Sequence, residues 1–69
     1  MGDLVEISVM GPYRVYFERN RDSQRRSFFS AYVQLPTCGQ IILDDRILPR
    51  LKRTISQVLR YQESRLGGS

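Results

Sequence analysis

The chain has 69 residues, eleven Lys and Arg against seven Asp and Glu, a formal charge of +4 and no histidine. Its single cysteine excludes a disulfide within the chain, and one thiol without histidine cannot build a Cys/His zinc set. A chain this short buries only about 60% of the surface it exposes when unfolded, so self-association is the expected source of further stability.

The first apolar stretch, LVEISVM over residues 4–10, alternates. Val5, Ile7 and Val9 share one side, with Glu6 and Ser8 on the other, which is the period of a half-buried strand. Met10, Gly11 and Pro12 read as a turn. YRVYFERN over 13–20 then alternates again, with Tyr13, Val15 and Phe17 against Arg14, Tyr16 and Glu18, so the two runs form a hairpin.

RNRDSQRR over 19–26 has no apolar anchor and reads as a loop, with four arginines and one aspartate. A third strand, about 27–35, puts Phe29, Ala31, Val33 and Leu35 on one side and Phe28, Ser30, Tyr32 and Gln34 on the other, and Pro36 stops it. Cys38 reads as a small, half-buried turn residue. A fourth strand covers about 40–43.

The remainder predicts a helix over about 46–66. Asp44 or Asp45 is the expected N-cap, and Pro49 falls early enough to be tolerated. Leu48, Leu51, Ile55, Leu59, Gln62 and Leu66 follow helical spacing, Val58 broadens the stripe, and Gly67 and Gly68 supply a terminator. Arg46, Arg50, Arg53 and Arg60 fall on another face, with no acid between the first and the last. Cations at a helix N-terminus oppose the macrodipole, so this charge needs a reason.

The expected fold is therefore α+β, a four-stranded antiparallel sheet followed by one amphipathic helix. With Val5, Ile7, Val15, Phe17, Phe29 and Val33 turned to the helix, Arg14, Tyr16, Phe28 and Tyr32 project from the opposite side of the sheet. Rings beside arginines suit single-stranded nucleic acid, where bases stack and guanidinium groups follow phosphates. The candidate set is Arg14, Tyr16, Arg19, Arg21, Arg25, Arg26, Phe28 and Tyr32. The same residue types also mark subunit interfaces.

Two functions follow as expectations. One is a homodimeric single-stranded nucleic-acid-binding protein acting in transcription, replication or repair. The other is a small protein-binding module, such as a phage or viral inhibitor of a host complex. Catalysis is not expected from a chain without histidine and with few acids, and no residue pattern calls for a cofactor or metal. No apolar run approaches the roughly 20 residues that span a bilayer, and the first residues lack a signal-peptide layout. A cytoplasmic protein is expected, or a nuclear one in a eukaryote or its virus.

GQIIL (Gly39, Ile41, Leu43) followed by DDRILPRLKRTI resembles a stretch of the positive-cofactor-four family of single-strand-binding transcription coactivators, to which the longer Whirly proteins are related in logic. The hairpin LVEISVMGPYRVYFERN stands where that family's first two strands would. The resemblance spans most of residues 4–62 in element order. It implies a β-β-β-β-α dimer with a cationic, aromatic-lined groove for unpaired DNA, on which Arg14, Tyr16, Arg26, Phe28 and Tyr32 would lie. Ile47 replaces the family's aromatic near the helix start, and LPTCG lacks the family's lysine before the last strand.

Overall fold

A computed structural model of the chain describes residues 2–36 and 39–67, with side chains as far as Arg65. The expectations placed on Cys38, on Gly68 and on the side chain of Leu66 lie outside the described residues. Four strands, β1 (Asp3–Met10), β2 (Tyr13–Arg21), β3 (Ser27–Gln34) and β4 (Gln40–Asp45), precede one helix, α1 (Leu48–Gly67). The strands form one antiparallel sheet in chain order, and the helix packs chiefly over β3 and β4. This is the α+β arrangement expected from the sequence.

The core is the helix side of the sheet. Tyr13, Val15 and Phe17 of β2, Ala31 and Val33 of β3, and Leu51, Ile55 and Leu59 of α1 are buried together. Phe29, Ile41, Leu43 and Leu48 pack around them. Each large apolar side chain so buried contributes roughly 1.5–3 kcal/mol relative to exposure.

The first strand departs from expectation. Val5 and Ile7 do not face the helix. A two-residue turn pairs Met10 with Tyr13, and from there Ser8 pairs with Val15, and Glu6 with Phe17. Directly paired residues share a side, so the buried side of β2 brings Met10, Ser8 and Glu6 inward and sends Ile7 and Val9 outward. The register slips between Leu4 and Glu6, leaving Val5 as the extra residue of a bulge. Gly11 makes this turn with φ of 61°, and the ring of Pro12 fixes a negative φ after it, the order that a type II′ hairpin requires.

The basic connection is tighter than its composition implies. β2 runs on to Arg21, so Arg19 and Arg21 are strand residues and only residues 22–26 turn. Asp22 organises that turn. Its Oδ1 accepts from the backbone N–H groups of Gln24 at 2.8 Å and Arg26 at 2.9 Å. Its backbone carbonyl accepts from Arg25 N–H at 3.0 Å, and Arg25 takes a left-handed φ of 64° to close the loop.

The helix begins at Leu48, so Ile47 and not the expected Asp44 or Asp45 holds the N-cap position, and Asp45, the last residue of β4, steadies the approach. Its Oδ1 accepts from the Ile47 N–H at 3.0 Å, while the Ile47 carbonyl takes the first helical bond from Leu51. Pro49 then falls in the first turn, where its missing N–H costs nothing.

Candidate binding face of the sheet

The side of the sheet turned away from α1 is uncovered. Register places Ile7, Tyr16, Tyr32 and Ile42 opposite one another in turn, so they form one row straight across all four strands. Ile7 is 50%, Tyr16 36% and Ile42 49% exposed, and Tyr32 is half-buried. Leu4 and Val9 extend the apolar surface along β1, Val9 being 74% exposed. Exposed apolar residues scattered singly need no explanation, but a contiguous band across a sheet does.

Polar groups bound this band on both flanks. On one flank Glu18, Ser30 and Asp44 pair across β2, β3 and β4. Ser30 is buried; its hydroxyl donates to Asp44 Oδ1 at 2.6 Å and accepts from Asn20 Nδ2 at 3.0 Å. On the other flank Arg14, opposite Val9, lines a shallow groove of about 440 Å³ with Val9, Tyr16, Gln34 and Pro36. Among the described residues, Arg14 is the only cation on the open side of the strands.

The expected site residues therefore separate. Arg14, Tyr16, Phe28 and Tyr32 share the open side, with Phe28 half-buried toward the Asn20 end. Arg19 and Arg21 lie on the helix side of β2, opposite Phe29 and Ser27. Arg25 and Arg26 are exposed in the turn, where the Arg26 backbone is bound to Asp22. Ile7, Val9 and Ile42, absent from the sequence-based set, are the more exposed components of the face. A two-residue turn between Met10 and Tyr13 was the signal that could have found the β1 pair.

Ion pairs account for the cations around the helix start. Arg50 grips Asp45 with Nε on Oδ2 and Nη2 on Oδ1, both at 2.8 Å. That guanidinium first, and the Ile47 N–H second, hold the Asp45 carboxyl down at about 2. Arg46 reaches back to Asp22 Oδ2 at 2.8 Å and to the Ser27 carbonyl at 3.3 Å, which lowers the Asp22 pKa and ties the β2–β3 turn to the helix approach. Lys52 Nζ sits 2.6 Å from Glu6 Oε1 and 5.9 Å from the centroid of Phe17. Lys52 and, after it, the Ser8 hydroxyl lower the Glu6 pKa, so the polar inward residues of β1 are satisfied beneath the helix.

Asp44 and Asp45, adjacent in sequence, point to opposite sides of the sheet and serve different partners. No helix among the described residues is long and apolar enough to cross a membrane. No protein-family model matches the chain, and comparison with curated proteins and with solved structures finds no match.

Proposed function

We propose that this chain is a small protein-binding module that docks through the open side of its sheet. The observation that carries this reading is the apolar row Ile7–Tyr16–Tyr32–Ile42, with Leu4 and Val9 beside it. An apolar centre holding tyrosines, rimmed by a cation on one flank and carboxylates on the other, is the composition of a protein interface.

Nucleic acid is the second reading, favoured by the direct pairing of Tyr16 with Tyr32 and by Arg14 nearby. Against it, the rings are flanked by Glu18 and Asp44, which repel phosphate. Four of the candidate arginines also stand off this face, on the helix side of β2 or in the turn.

Immobilised wild-type chain should retain one protein in fixed proportion from an extract of its source cells. Ile42→Lys should lose that protein, and Arg53→Glu, on the exposed helix surface, should keep it. Fluorescence anisotropy with labelled oligo-dT decides the other reading. Sub-millimolar binding with a log–log salt slope near −0.7 per neutralised phosphate, abolished by Tyr16→Ala, would transfer the face to nucleic acid.

A further inference from the structure

We infer that two copies of this chain join edge to edge through β1, making one eight-stranded sheet whose open sides form a single docking face. This deepens the reading above, and it depends on that reading only for the use of the joined face.

β1 and β4 are the two edges of the sheet. Natural edges are blunted by charge, proline, bulges, shortness or cover. β4 is six residues long, has the helix packed against it, and ends in two aspartates engaged by Ser30 and Arg50. β1 is eight residues long, contains neither lysine, arginine nor proline, and is not among the strands on which α1 chiefly packs. Its bulge at Val5 guards only the first part of the strand; Glu6–Met10 beyond it pairs regularly, and the one charge in that run, Glu6, is turned inward and already held by Lys52 and Ser8.

That run is self-complementary about one residue. A twofold axis perpendicular to the sheet at Ser8 sets Ser8 against Ser8 of the partner subunit. It sets Ile7 against Val9 of the partner subunit, and Glu6 against Met10 of the partner subunit. Apolar side chains then meet on the open side. The two Glu6 carboxylates, each still held by its own Lys52 and Ser8, stand on opposite sides of the axis. Pairing centred on Glu6 would oppose two like charges, centring on Ile7 or Val9 would run the pairing into the Val5 bulge or the Gly11 turn, and a twofold falling between residues would oppose residues of opposite sides. A chain too short to bury a large core gains the contact it lacks.

Cysteine cross-linking reads the edge alone. In a Cys38→Ser background, Ser8→Cys places thiols on directly opposed residues. Their Cα separation of about 4.5–5.5 Å lies within disulfide range. Mild oxidation should convert this variant to a covalent dimer and leave a Gln57→Cys control monomeric. Sedimentation equilibrium should give a dimer for the wild type and for Ile42→Lys, and a folded monomer for Val9→Lys, whose exposed side chain the monomer fold does not use. The proposal is overturned by a wild type monomeric up to about 1 mM. It is overturned equally by a Ser8→Cys variant that does not cross-link, or by Ile42→Lys dissociating a dimer that Val9→Lys leaves whole. Loss of the captured protein by a still-dimeric Ile42→Lys locates docking on the face. Its retention there removes the docking reading and leaves the edge pairing intact.

Discussion

On the helix side of this sheet, Val15, Phe17, Ala31 and Val33 are sealed under Leu51, Ile55 and Leu59. One pleat away, Ile7, Tyr16, Tyr32 and Ile42 form a row of comparable apolarity with nothing over it among the described residues. Side-chain chemistry does not separate these two sides. Register does, because the turn that pairs Met10 with Tyr13 commits β1 from Glu6 to Met10. The lesson is that an apolar strand next to a core need not belong to it. In β1 the polar residues Glu6 and Ser8 face inward, Glu6 accepting from Lys52 and from the Ser8 hydroxyl, while Ile7 and Val9 face out.

The contrast breaks most sharply under truncation. Phe17→Ala removes a fully buried ring and should cost about 3–5 kcal/mol. A chain of this size has only about 3–10 kcal/mol in total, so thermal unfolding followed by circular dichroism should show a largely unfolded protein at 37 °C. Gly11→Ala attacks the turn that sets the register. A left-handed φ costs an alanine about 1–2 kcal/mol, so a destabilised chain with an otherwise native core is expected. Ile42→Lys, on the open side, should change stability by no more than about 0.5 kcal/mol while abolishing docking.

Acid probes the ion pairs that hold the helix to the sheet. The carboxyl of Asp45 is held at about 2, below its ordinary 3.8. Its contribution is fully present above about pH 4 and is lost as pH falls through 2. The lowered pKa values of Glu6 and Asp22 act in the same direction. Wild type should therefore lose stability between pH 4 and pH 2. Asp45→Asn should start lower at neutral pH and fall less over that interval, as urea unfolding at a series of pH values would show.

Much of this architecture was legible in the residues. Alternation located four strands, and 3-and-4 spacing located the helix, because both periods are local. The inward set on β2 and β3 was legible for the same reason. β1 was not, since its own alternation is equally good either way up and only the length of the turn decides. The helix cations were misleading in a different manner. In the row Arg46, Arg50, Arg53 and Arg60, the first two look unbalanced because their acids, Asp22 and Asp45, are contributed by a turn and a strand outside the helix, as Glu6 is for Lys52. Of the candidate site, Arg14, Tyr16, Phe28 and Tyr32 fell together by parity. The same parity applied to Arg19 and Arg21 puts them on the helix side of β2, which a reading of 19–26 as loop concealed.

Isoleucine methyl groups distinguish the two sides in one spectrum. Ile7 and Ile42 report the open side, Ile41 and Ile55 the packed side, and Ile47 the exposed approach to the helix. In a methyl-labelled sample titrated with the protein captured by the wild-type chain, the Ile7 and Ile42 resonances should shift or broaden while Ile41 and Ile55 hold still. Unmoved Ile7 and Ile42 signals in a saturated complex would contradict the account.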